Sequence, residues 1–256
     1  MAKQYPQPAS ITSRWIARRL GIWALLALSG AAALPSSATA ATELRPYTAQ
    51  YKTTARGIDM AITRTLEQGE NDSYVLTNGG KILVVGFHEV GVFHVEGGQI
   101  KPESYVYQGS GLVNRRRELH FDPAAGQIKS LYKDNWYQLP YSDATLDRMT
   151  QLEQLRLTLL AGETEPDNIV MRVADGKRIK DSRLRLVGEE MVETPLGSVA
   201  TLHFTRLHDS AERSSDIWVA PQWDYLMVKT VHVEDDKPVE MVLTSAAIAG
   251  VPVTLD

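Results

Sequence analysis

The chain of 256 residues contains no cysteine. That absence closes disulfides, thiol nucleophiles and Cys-based zinc sites together. It also closes lipid anchoring through a cysteine at an export cleavage point. Long apolar runs are missing as well. The longest, Leu20 to Leu28, is about half of the roughly 20 residues that a spanning helix needs. Ser29, Gly30 and Pro35 interrupt its continuation through Ala31 to Leu34. No G-x-G-x-x-G follows a strand, and no G-x-x-x-x-G-K-[ST] loop occurs. Gly109-Ser110-Gly111 is not the G-x-S-x-G nucleophile elbow. No cofactor is therefore expected, and no catalytic residue is assigned.

Acidic residues are absent from the first forty positions, and what stands there reads as an export signal. Arg14, Arg18 and Arg19 lead into the apolar run, and Ala38-Thr39-Ala40 is an A-x-A cleavage pattern. Leu20-Gly21 after Arg18-Arg19 fits twin-arginine export poorly, which favours ordinary unfolded export. The expectation is a cleavable signal peptide over 1–40 and a single β-rich periplasmic domain over 41–256, soluble and with no stable membrane span after cleavage. Lys3, Arg14, Arg18 and Arg19 leave with the signal, taking 27 basic residues to 23 against an unchanged 31 acidic ones, a balance of about −8. Such a balance opposes binding to nucleic acid or to anionic surfaces.

Beyond Ala41 the pattern is one of short β-type segments separated by turns. Met60 to Leu66 alternates, and strand character recurs through Phe87 to Val95, Glu103 to Gln108, Arg116 to Phe121 and Gln127 to Lys133. Asn78-Gly79-Gly80 reads as a turn or bulge, Asp122-Pro123-Ala124-Ala125-Gly126 as a hairpin loop, and Asp175-Gly176 as a two-residue hairpin. Thr194-Pro195-Leu196-Gly197 places proline where a turn presets it. One segment has a different period. Leu146, Met149, Leu152, Leu155, Leu159 and Leu160 recur at three and four, which predicts a helix over about 146–161. Thr145 is the expected N-cap, Gly162 the stop, and Glu153 and Arg156 fall on the more polar side. The expected fold is mainly β: a large antiparallel sheet or open β-barrel with this one helix packed on it.

Few residues stand out chemically. His88 and His94 are six apart in a strand-like run, roughly 20 Å at about 3.3 Å per residue, too far to share an ion. No metal site is expected. His203 and His232 lie in separate strands and read as structural. Arg115-Arg116-Arg117-Glu118 is the densest charged cluster, and guanidinium matches phosphate or carboxylate. Arginines at a sheet edge also block edge-to-edge pairing. Glu189 and Glu190 are neighbours that point to opposite faces of an extended segment, so they cannot form a catalytic carboxylate pair by themselves. Their plainer role is pairing with Arg183 or Arg185. Trp218 and Trp223 bracket Val219-Ala220-Pro221-Gln222 and suit either core packing or a stacking surface. The ligand-binding candidates are thus Arg115, Arg116, Arg117, Glu118, Glu189, Glu190 and Trp218.

Five stretches together resemble an exported bacterial family known as domain of unknown function 3108. They are Leu44-Arg45-Pro46-Tyr47-Thr48-Ala49-Gln50-Tyr51; Asn114-Arg115-Arg116-Arg117-Glu118 with Phe121-Asp122; Leu152-Glu153-Gln154-Leu155-Arg156-Leu157; Gly188-Glu189-Glu190 with Thr194-Pro195-Leu196-Gly197; and Ile217-Trp218-Val219-Ala220-Pro221 with Asp224-Tyr225. Met227 stands where the family often has proline. The resemblance spans Leu44 to Thr244 and implies a β-rich periplasmic protein without an established activity.

The leading expectation is non-enzymatic binding of an envelope lipid, glycan or protein partner. One alternative is an envelope glycan or lipid hydrolase using Glu189 or Glu190. Another is a structural role in envelope assembly. A closed cavity of about 300 Å³ or more, lined by apolar side chains, would favour the binding reading, and a filled core the structural one.

Overall fold

Alternation builds the sheet. Along Tyr47–Ala55 (β1) the buried Tyr47, Ala49, Tyr51 and Thr53 alternate with the exposed Thr48, Gln50, Lys52 and Thr54, the period that places one face of a strand against a core. The structure, a computed structural model, describes residues 43–55, 58–82, 85–111, 114–162, 168–210 and 212–255. The leader and its Ala38-Thr39-Ala40 motif lie outside the described residues.

After β1 come Ile58–Gln68 (β2), Tyr74–Ile82 (β3), Val85–Glu96 (β4), Gln99–Ser110 (β5), Arg116–Asp122 (β6), Gln127–Tyr132 (β7) and Asn135–Pro140 (β8). The two-residue Thr145–Leu146 (β9) and the helix Thr150–Leu160 (α1) come next. The second half contains Ile169–Asp175 (β10), Arg178–Thr194 (β11), Gly197–Leu207 (β12), Arg213–Ala220 (β13), a 3-10 turn at Pro221–Trp223, Leu226–Glu234 (β14), Lys237–Ile248 (β15) and Val251–Pro252 (β16). Among the described residues these form one 16-stranded sheet in the order β8-β7-β6-β5-β4-β3-β2-β1-β15-β14-β13-β12-β11-β10-β9, with β16 on β15. Every pairing is antiparallel except the short one between β9 and β10. The expected mainly β architecture, a large open sheet with one packed helix, is the observed one.

The sheet has two edges, β8 and β9, and it curls. The Ser130 hydroxyl on β7 donates to the Gly176 carbonyl at the tip of the β10–β11 hairpin, 2.5 Å away. Those residues are far apart in the strand order, so the two wings face one another. Tight turns of the primed kind match the twist. Lys133-Asp134 and Asp235-Asp236 each join paired strands with both residues at positive φ.

Several local expectations shift when chain partners are present. Asn78-Gly79-Gly80 is no turn. It lies inside β3 and pairs with β2 on one side and β4 on the other. The β10–β11 hairpin turns on Gly176-Lys177, since Asp175 pairs with Arg178. The Thr194–Gly197 turn and the Asp122–Gly126 loop stand where expected. The helix begins later than its apolar period. Thr145 and Leu146 are taken by β9, and one Asp147 carboxylate oxygen accepts the N–H groups of Met149 (2.7 Å) and Thr150 (3.0 Å). That carboxylate, not Thr145, satisfies the helix's first donors. At the far end Gly162, with φ of +96°, stops the helix as expected.

The core is continuous from the sheet into the helix through Leu155, Leu157 and Leu159. Glu153 and Arg156 overturn the expected polar side: they are 0% and 1% exposed. The helix is buried nearly all round, and its charges face inward.

Candidate functional site

Burying Glu153 and Arg156 demands partners, because an isolated charge in a core is strongly unfavourable. The sheet supplies them. One Glu153 oxygen accepts the Tyr47 hydroxyl at 2.7 Å and Arg64 Nη2 at 3.1 Å. The other accepts Arg156 Nη1 at 2.6 Å. Arg64 Nε also donates to the Tyr47 oxygen at 2.9 Å, and the Arg156 guanidinium lies over the Tyr47 ring at 4.7 Å. Burial alone would push the Glu153 carboxyl up. The Arg156 and Arg64 guanidiniums and the Tyr47 hydroxyl outweigh it and hold the group below its ordinary 4.5. Glu153 is therefore a fixed anion, unsuited to proton transfer near neutral pH. Arg156 Nε continues the chain of contacts to the Asp224 carbonyl at 3.2 Å. The Asp224 carboxylate is gripped by Arg45 through two bonds of 2.5 and 2.6 Å.

A second polar group sits ahead of the helix. Glu89 accepts the Tyr105 hydroxyl at 2.7 Å and the Asn78 amide at 2.9 Å, with Arg148 Nε at 3.6 Å. Nearby, Arg117 pairs with Asp175 at 3.3 Å and lies 5.3 Å over the Tyr132 ring. Phe87 and Tyr107 stack at 6.3 Å between ring centres.

The residues singled out from sequence divide among separate places. Arg115 is exposed, and its carbonyl accepts the Gly109 N–H at 2.8 Å. Arg116 bonds Glu118, which also holds His120 at 3.0 Å. Strand alternation sends Arg117 to the opposite face, toward Asp175. The arginine run therefore does not converge on one anion. Glu189 stands exposed on β11, apart from Glu190. Glu190 and Trp218 do meet, through an indole N–H bond of 2.8 Å. His203 joins them. It stacks on Trp218 with centres 4.3 Å apart, and its two nitrogens reach Glu190 at 3.2 Å and Asp216 at 3.0 Å. Register explains the meeting, since His203 pairs with Trp218 across β12 and β13. The expected arginine partners Arg183 and Arg185 are not what holds Glu190. The imidazole fills the space between the two carboxylates, where a glycosidase would place a sugar ring.

A groove of about 520 Å³ is built where the C-terminal segment crosses the β11–β12 hairpin. Met191, Ala200, Ile248, Val251, Pro252, Val253 and Leu255 supply apolar walls, and Trp223 backs it. Arg45, Ser198, Gln222 and Thr254 add polar atoms. Met191 and Val251 are 58% and 68% exposed, an unusual price in water for apolar side chains grouped together. The sequence of the C-terminal stretch from Ala246 to Asp256 carries no strong structural signal. Ala249-Gly250, both at positive φ, turns it back onto β15 and makes the wall. The second recess, beside Tyr105, Arg117, Arg148 and Asp175, is barely large enough for a water molecule.

The family described as "Protein of unknown function (DUF3108)" matches residues 44–244. No curated protein matches the chain. Among solved structures, "Beta-barrel-like Protein of Domain of Unknown Function DUF1849 from Brucella abortus" is 9% identical, with a TM-score of 0.53 over 81% of this chain and 99% of that one. A "putative lipoprotein from Parabacteroides distasonis ATCC 8503" is 11% identical, with a TM-score of 0.32 over 80% and 96%. A "putative outer membrane lipoprotein-sorting protein domain from Vibrio parahaemolyticus" is 6% identical, with a TM-score of 0.25 over 80% and 85%. The Brucella likeness is one of fold alone.

Proposed function

We propose, from the premise that the chain belongs to the DUF3108 family, that it is an exported, non-enzymatic envelope protein that shelters the apolar chain of an envelope lipid. One observation carries this reading. The groove along the C-terminal segment is open to solvent, has about 520 Å³ of space and sets apolar side chains such as Met191, Val251 and Leu255 among polar atoms of Arg45, Ser198, Gln222 and Thr254, a volume within the range of sites that hold small ligands. The leader supports export, and the net acidity suits a protein free of nucleic acid. No helix among the described residues is long and apolar enough to cross a membrane. The paired and occupied carboxylates favour binding over hydrolysis. Glu153 is fixed between two guanidiniums, and Glu190 is engaged by Trp218 and His203.

The groove reading predicts how a filled groove behaves. Ala200 is exposed on the groove wall, so Ala200→Trp places a large side chain in the space without disturbing the core. Titration with a fluorescent fatty acid is expected to show saturable binding by the wild-type protein. The variant should bind about tenfold more weakly or worse. Equal affinity in the two proteins, or no saturable binding in the wild type, rejects the groove as the site.

A further inference from the structure

Away from the groove, two imidazoles converge on one hydroxyl. Ser215 on β13 pairs directly with His232 on β14, and residues opposite each other in a sheet present their side chains on the same face. His208 follows Leu207, the last residue of the neighbouring β12. Ser215 Oγ lies 2.7 Å from His232 Nδ1 and 3.0 Å from His208 Nε2. A hydroxyl has one hydrogen to donate, so it donates to one ring nitrogen and accepts the N–H of the other. The two ring centres stand 6.4 Å apart with their planes tilted by 49°. His232 is exposed and His208 half-buried, so solvent reaches the meeting point. Burial first, and then the Arg206 charge, hold the His208 imidazole below its ordinary 6.5. At neutral pH it is uncharged and has a lone pair to offer.

Two imidazoles that ligate one ion, each through a nitrogen about 2.0–2.1 Å from it, have ring centres about 5–6.5 Å apart. His208 and His232 stand at the wide end of that span. For both lone pairs to face inward, each ring carries its hydrogen on the far nitrogen, which is a change of tautomer and releases no proton. The Ser215 hydroxyl then turns aside about its Cα–Cβ bond. We infer that His208 and His232 form a binding site for a divalent transition-metal ion, Cu(II) above the others, at the point where both rings meet Ser215. Among the described residues no three His, Cys, Asp or Glu side chains gather to hold a metal. Water therefore fills the remaining positions, and the site is open and exchangeable, unlike a closed structural one. The surroundings select the ion. Arg206 and Arg213 also act on His208, against Asp209, and Arg213 is itself held by Glu234. That setting disfavours hard cations bound by charge alone. It leaves the advantage to an ion with a strong bond to imidazole nitrogen, which in the divalent series is Cu(II). The site is independent of the groove.

The probe is Cu(II), titrated into untagged, chelator-stripped protein with excess glycine as a competing ligand. Electron paramagnetic resonance reads the nitrogen coupling of the bound ion, and tryptophan fluorescence reads saturation. The wild type is expected to bind one equivalent through imidazole nitrogen, more tightly than it binds Zn(II) in the same competition. His208→Gln and His232→Gln are each expected to weaken binding about tenfold or more. Ser215→Ala should keep it, because the hydroxyl yields its place to the ion. Saturating Cu(II) should raise the melting temperature of the wild type and of Ser215→Ala, and leave that of the two histidine variants unchanged, since a ligand stabilises only the fold that binds it. Melting temperatures without metal show whether each variant is folded, and all three substitutions lie at exposed or half-buried positions. A wild type that shows no saturable, nitrogen-coupled Cu(II) overturns the site. So does binding that survives the double variant His208→Gln with His232→Gln, which places the ion on other histidines. Ala200→Trp leaves these residues untouched, so failure of the groove and failure of the metal site are separately visible.

Discussion

Glu153→Gln is expected to lower the free energy of unfolding by about 3–5 kcal/mol, the cost of leaving buried charge without its partner. The substitution keeps the size of the side chain but removes its charge. Arg64 and Arg156 then face each other across a neutral amide, 6% and 1% exposed. Urea denaturation at neutral pH measures the loss. A companion variant with Glu153→Leu, Arg64→Met and Arg156→Met together should recover most of it, because removing every charge removes the desolvation cost as well. pH gives a second test. The Glu153 carboxyl is held below its ordinary 4.5 in the folded protein. Its stabilisation is therefore fully present above that value and is lost as pH falls through the folded-state pKa. Asp147 acts with the opposite sign, since burial raises its carboxyl; it costs stability at neutral pH and relieves that cost on protonation. Acid should thus destabilise the wild type more steeply than Glu153→Gln, whose acid limb loses the Glu153 contribution. Parallel pH curves for the two proteins would show that Glu153 is not the anion described.

Gly80→Val is expected to cost about 3 kcal/mol through overpacking. A Cβ at Gly80 would stand 2.6 Å from the Ala61 carbonyl oxygen, with Ile62 and Met60 side-chain atoms at 3.2 Å. The nearest obstacle is backbone, which cannot rotate away. Gly86, on the strand that pairs with it, has the mirror problem: its Cβ would meet the Gly80 carbonyl at 2.7 Å. These glycines let β2, β3 and β4 bend closely past one another, which is how a large sheet curls. Thermal unfolding of Gly80→Val measures the cost. Loss of fluorescent fatty acid binding is not expected, because the groove lies on other strands. An unchanged melting temperature would mean that the strands are not so closely approached.

The same glycine shows where sequence reading stops. Asn78-Gly79-Gly80 has turn chemistry, and its local pattern does not reveal that a carbonyl from β2 presses on it. Period-two alternation in β1 and the three-and-four spacing of Leu152, Leu155 and Leu159 are local, so the sheet and the helix are legible in the chain. β8 is not: Asn135-Trp136-Tyr137-Gln138-Leu139-Pro140 alternates over too short a span beside a proline. The burial of Glu153 and Arg156 is equally hidden. Glu153 meets Tyr47 and Arg64 from 106 and 89 residues away, and a helix with charges on one side looks solvated until the sheet closes over it. The clue available was that Glu153 and Arg156 are spaced like a helical ion pair and flanked by leucines. Of the residues selected for chemistry, Glu190 and Trp218 come together because register aligns β11, β12 and β13. The arginine run is split between faces by the alternation that makes it a strand. The groove draws on a C-terminal segment that carries no periodic signal.

Native mass spectrometry of the protein purified under mild conditions from its own cells tests the central claim most directly. The account predicts a protein mass accompanied by that of a bound lipid, lost or sharply reduced in Ala200→Trp. A bare protein mass in the wild type under those conditions would contradict it.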